Sequence, residues 1–198
     1  VGQCIGAGAL AAVGSAYTLM VFLISVLLGL AMGSGTVFSL HYGAGNHVAL
    51  RRSIFSSFVL IGIVTLILNV AVFIWLDPIL WLLQVPQDIY GMMRSYLWII
   101  FCGIVFTFIY NFYASLLRAV GDSVTPLWFL AVSVVLNIAL DLFFILQLDW
   151  GIQGAAAATV LAQGVAALGI IIYTYRRRPE LRWHHEDMCF DRTCLKEI

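Results

Sequence analysis

The stretch PLWFLAVSVVLNIALDLFFILQL, residues 126–148, decides the class of this protein. It is apolar throughout except for Ser133, Asn137, Asp141 and Gln147. About 20 such residues carry an α-helix across the hydrocarbon of a bilayer. Four further segments of this kind surround it, near 14–40, 53–76, 95–117 and 154–175. The fold class is therefore all-α: a polytopic helical membrane protein with five predicted transmembrane helices.

Composition agrees. Of 198 residues, 63% are hydrophobic and 10% charged, whereas a soluble domain carries about a quarter charged residues. Mean hydropathy is +1.02. The formal net charge is zero, which gives no reason to expect a nucleic-acid partner. The chain opens on Val1 with no positively charged n-region, so the first apolar stretch is not a signal peptide. A chain whose true start lies upstream is the simpler expectation. Cys4, Cys102, Cys189 and Cys194 form no CxxC pair and imply no disulfide framework.

The connections carry turn chemistry: Gly43 to Asn46, Asp77-Pro78 with Pro86, Gly121 to Ser123, and Asp149 to Gly151. Thr125 before Pro126 reads as an N-cap with proline in first position. Residues 78–93 are apolar but short and proline-broken, and are expected along the membrane interface, where Trp81 and Tyr90 suit the headgroup layer. Arg51, Arg52, Arg118, Arg176, Arg177, Arg178 and Arg182 gather at one end of the spans; the other end has Arg94. By the positive-inside rule the arginine-rich end is cytoplasmic. The polar tail from Arg176 is a cytoplasmic linker, and His184, His185, Cys189 and Cys194 in it match no zinc spacing.

The chemistry lies in the polar positions of the spans. Asn137 and Asp141 are four apart and share one helix face, which Ser133 extends. Asp141 is the one acidic residue inside any predicted span. A charge at that depth costs about 2.5–3.5 kcal/mol on insertion scales and marks an ion or proton pathway by default. In 95–117, Thr107, Asn111, Ser115 and Arg118 fall within roughly 80° on a helix. Thr159 and Gln163 repeat the four-residue stride in 154–175, and Thr18, Ser25 and Gly29 make a weaker face on the first span. Together they describe a wet cavity with one acid in it. A carboxylate, an amide oxygen and hydroxyls suit a hard cation. Taken singly, Asn137 or Thr159 reads first as an interhelical hydrogen bond. Gly29-x-x-x-Gly33 and the run Gly154 to Ala158 read as close helix packing.

These motifs resemble the MATE family of multidrug and toxic-compound extrusion transporters. VGQCIGAGALAAVGSA (1–16) is similar to the stretch after the family's first membrane helix. HYGAGNHVALRR (41–52) is similar to its second cytoplasmic-side turn. RAVGDSVTPLWFLAVSVVLNIALDLFFI (118–145) and GIQGAAAATVLAQ (151–163) resemble its fifth and sixth helices. The resemblance implies two six-helix lobes that couple export of organic, drug-like compounds to inward sodium ions or protons. It makes residues 1–178 an incomplete amino-terminal lobe, helices two to six, and 179–198 the cytoplasmic linker to a second lobe.

It further implies a cation or proton site of Asp141, Asn137 and Thr159, with Thr107, Asn111, Ser115, Ser133 and Gln163 as cavity lining. In the family that site also uses an acidic residue just before a pair like Val1-Gly2, upstream of this chain. The expected partners are membrane lipid, small organic substrates and the second lobe, in the inner (plasma) membrane. No cofactor is expected beyond the coupling ion. A lipid-linked oligosaccharide flippase of the same superfamily would need basic residues in the cavity, and the spans have almost none. A non-transporting truncated fragment or structural membrane module is the reading from another class. An enzyme is not expected, since all four histidines lie outside the spans.

Overall fold

The computed structural model describes residues 7–82, 85 and 87–181. Six α-helices follow one another: α1 (Ala7–Gly43), α2 (His47–Leu82), α3 (Gln87–Cys102), α4 (Ile104–Ala119), α5 (Val124–Leu146) and α6 (Gly151–Arg177). A 3₁₀ turn, Pro179–Leu181, closes the described chain, and no strand occurs among the described residues. Four of these helices are long and apolar enough to cross a membrane. At 16 residues each, α3 and α4 are not: each rises only about 24 Å, against about 30 Å of hydrocarbon. Taken together across a 45° bend, they pass the same test of length and apolarity as one broken span.

That broken span differs from the straight segment expected at 95–117. It begins at Gln87 and is interrupted at Gly103. Residues 78–93 are divided between two helices. Pro78 to Leu82 prolong α2, and the helix of α3 takes over from Gln87. Proline removes one N–H and presses on the carbonyl four residues back, here that of Ile74. The chain answers by bending at Trp75 (φ −103°, ψ 17°) and continuing. At this end Asp77 accepts hydrogen bonds from Tyr90 (2.8 Å) and Arg94 (2.9 Å), tying α2 to α3.

The core forms around α4, whose Phe108, Phe112, Leu116 and Leu117 are buried. Phe112 meets Phe38 of α1 edge-on at 5.9 Å and Phe58 of α2 at 5.2 Å. The α5 helix is the opposite case. It buries only Pro126 and Ile145 and leans chiefly on α6.

At the arginine-rich end the turns are closed by side chains. Asn46 Oδ1 accepts from the Ala49 N–H (3.1 Å), capping α2 after the left-handed Gly45 (φ 68°). The cap of α5 is Asp122, not Thr125. Its Oδ1 accepts the Thr125 N–H (3.1 Å) and its Oδ2 accepts the Thr125 hydroxyl (2.8 Å). Val124 already opens the helix, and Pro126 fits its first turn, where N–H groups lack partners anyway. Tyr173 of α6 donates to the same Oδ2 (3.3 Å), and Arg178 stands 4.0 Å away and reaches Glu180 at 3.6 Å. Leu181 is buried behind them, so the first residues past α6 are packed onto the bundle.

Partial burial pushes the Asp122 carboxyl up. The Thr125 N–H and hydroxyl, the Tyr173 hydroxyl and the Arg178 charge together outweigh this and hold it below the ordinary 3.8. A carboxyl depressed in the fold adds stability above its unfolded value, lost as pH falls through the folded one. Asp122→Ala should therefore lose about 0.5–2 kcal/mol at neutral pH, the usual worth of a cap. The difference from the parent should begin to shrink as pH falls below about 4 and narrow further as it passes through the lowered folded value. Thermal unfolding in detergent at pH 7 and pH 3 checks both halves.

Candidate functional site

A cavity of about 310 Å³ opens between α4, α5 and α6, closed on one side by Ile24 of α1. Helix α4 contributes Thr107, Tyr110 and Asn111, α5 contributes Ser133 and Asn137, and α6 contributes Thr159 and Gln163. The four-residue strides noticed in the sequence thus converge. On α5 and α6, Asn137 Nδ2 donates to the Thr159 hydroxyl oxygen (3.2 Å), and Thr159 donates to the Ala155 carbonyl (3.0 Å). Between α4 and α6 the Thr107 hydroxyl donates to Gln163 Oε1. Asn111 Nδ2 holds the Thr107 carbonyl at 2.8 Å. Each hydrogen bond crosses or braces the cavity wall, so the polar lining is held in place before any ligand arrives.

Asp141 lies one turn beyond Asn137 on α5 and does not itself line this cavity. Its side chain is half-buried, close enough to Tyr96 of α3 to interact with it electrostatically. Its Oδ1 is shut off from solvent and has no hydrogen-bond partner among the described residues. A buried carboxylate oxygen without a donor is costly and calls for a proton or a cation. Asn137, one turn back on α5, turns its amide to Thr159 instead, so the carboxylate and the Asn137–Thr159 pair lie near one another without a hydrogen bond between them among the described residues.

Ser115, expected in the cavity lining, is turned elsewhere. It is 5% exposed and its hydroxyl donates to the Ala31 carbonyl of α1 at 2.7 Å. The cause is the close approach of α1 at Gly35, where a Cβ would fall 2.5 Å from the Ser115 Oγ. The expected packing pair Gly29 and Gly33 meets nothing within 4 Å. Gly154 does pack closely, with a built Cβ 3.0 Å from that of Phe144. Tyr110 was missed in the sequence. It lines the cavity and donates to the Pro126 carbonyl (2.8 Å), and the offset of three from Thr107 was its only signal. The side chain of Thr18, and Cys4, His184, His185, Cys189 and Cys194, lie outside the described residues.

Comparison with known proteins gives a consistent result. The family model MatE matches residues 1–143. The chain is 36% identical over 178 residues to the probable multidrug resistance protein YpnP of Bacillus subtilis (strain 168), covering 90% of this chain and 40% of that protein. It is 32% identical over 171 residues to the multidrug export protein MepA of Staphylococcus saprophyticus, covering 82% and 37%. A solved inward-facing multidrug resistance MATE family transporter of the MOP superfamily superposes with a TM-score of 0.91 at 24% identity, over 96% of this chain and 43% of that one. An outward-facing structure of such a transporter gives 0.90 at 24%, over 98% and 43%. The chain thus spans about 40% of the length of the curated relatives it matches.

Proposed function

The chain belongs to the MatE family, and from that premise we propose that it forms part of a cation-coupled exporter of organic, drug-like compounds. It is read as a transporter component, not an enzyme, in the inner membrane with its arginine-rich end and tail in the cytoplasm. A second six-helix lobe completes the transporter. The observation that carries the reading is the buried Asp141 Oδ1, without a hydrogen-bond partner among the described residues and one turn along α5 from Asn137.

The mechanism follows from differential affinity. A sodium ion or proton neutralises Asp141, with Asn137 and Thr159 supplying neutral oxygens nearby. Neutralising a charge in low dielectric changes which helix packing is favoured, and the organic substrate leaves as the ion enters. Ion and substrate act on the equilibrium only as far as each binds the two access states unequally. Inward- and outward-facing structures fit this fold almost equally, at 0.91 and 0.90. That supports a lobe that rocks largely as one body.

Reconstituted in liposomes, the full-length gene product should expel ethidium when an inward sodium or proton gradient is imposed. Dissipating that gradient should stop the efflux. Efflux indifferent to both gradients would overturn the reading.

A further inference from the structure

The break at Gly103 is held from outside its own span. Ending a helix strands its last carbonyls without intrahelical partners. One of these in α3 is the Phe101 carbonyl, and Asn69 of α2 donates its Nδ2 hydrogen to it over 2.7 Å. Asn69 is 9% exposed and Phe101 1%, so water has little access to take the amide's place. Across the break, Gly103 lies hard against α6: a Cβ there would sit 2.5 Å from Val160 Cγ2. Val160 follows Thr159 directly. One turn on along both helices, Thr107 donates to Gln163. The broken span therefore touches α6 in register at the break and again at the cavity. On the α2 side of the break lies a second cavity of about 440 Å³, lined by Asn69, Phe101, Cys102, Gly62, Phe58 and Phe108. The break has room to shift that way once its brace is removed.

Resting on the transport reading above, we propose that Asn69 is a positioning residue. By bracing the Phe101 carbonyl it fixes the Gly103 break against Val160. It thereby sets the spacing of Thr107 to Gln163 and of the Thr159 turn to α5. Asn69 touches neither ion nor substrate; it acts through the backbone of the broken span.

The test compares Asn69→Leu, which keeps the volume and loses the donor, with Asn69→Gln, which restores one. Both are made in the full-length gene product in liposomes, and ethidium efflux is followed against sodium concentration and pH. At parental abundance, N69L should move the half-saturating sodium concentration or the proton midpoint by about fivefold, the scale of one buried hydrogen bond. Amide hydrogen exchange at 103–107 should rise, and N69Q should reverse both changes. Faster exchange with an unmoved ion dependence makes Asn69 merely structural and overturns the proposal, as does no change in either. A parent protein without ion-driven efflux sinks the transport reading instead, and leaves the exchange comparison to judge the brace. If N69L does not accumulate, N69M, unbranched and easier to fit, takes its place under the same criteria.

Discussion

In the full-length gene product, Asp141→Asn is expected to reduce the proposed ion-driven export to the level of liposomes without transporter, while the protein accumulates in the membrane at least as well as its parent. The two halves of this result have one cause. Asparagine matches aspartate in size, so α5 and its packing on α6 are kept. The substitution deletes the carboxylate, which costs about 2.5–3.5 kcal/mol to insert at such depth, and so relieves the fold. It also deletes the one acidic side chain inside the spans expected from the sequence. Efflux of ethidium per unit of transporter is the measurement. Parental efflux from a well-accumulated D141N would remove Asp141 from the ion site. Asn137→Leu and Thr159→Val should act less severely, since each withdraws one neutral oxygen and leaves the charge.

The second large effect is on the fold. Gly103→Val sets a β-branched side chain where even a bare Cβ would stand 2.5 and 2.8 Å from the two Val160 methyls and 3.1 Å from its Cβ. Valine at χ1 is stiff in a helix, so neither residue can swing clear. Overpacking of this kind costs about 1–3 kcal/mol, and the added methyls put this case at or above the upper end. Either α6 retreats, separating Gln163 from Thr107, or the 45° bend changes. Thermal unfolding in detergent should show the loss, and Val160→Ala in the same chain should restore part of it, because the two side chains contend for one space. An unaffected melting temperature for G103V would mean the break is not packed against α6.

Much of this architecture was legible from the residues. The length and purity of the apolar runs determine helices and their number, because a bilayer leaves the backbone few alternatives. The strides of Ser133 and Asn137, and of Thr159 and Gln163, brought those side chains to one cavity, since helical periodicity is local, whereas Asp141 on the same stride lies one turn beyond it. What stayed hidden depends on partners distant in sequence. Ser115 shares a face with Thr107 and Asn111, yet the approach of Gly35 from α1 claims it. Asn69 drew no notice in the sequence; its partner is a carbonyl 32 residues away, next to the Gly103 break. Pro78 reads as a stop, but membrane helices often bend at proline and continue.

The lone carboxylate of α5 also has a consequence for the energetics of pumping. On the coupling proposed above, an Asp141 that exchanges alone would take up one unit of positive charge per turnover. Exchanged against a singly charged organic cation, it moves no net charge, so membrane voltage neither helps nor hinders and the ion gradient alone sets the limit. Exchanged against a neutral compound, each cycle carries one charge inward, worth about 2.3 kcal/mol per 100 mV. At 1.4 kcal/mol per decade that voltage alone sustains roughly a fifty-fold concentration ratio. On that proposal voltage sensitivity would be a readout of substrate charge, traceable to a single side chain.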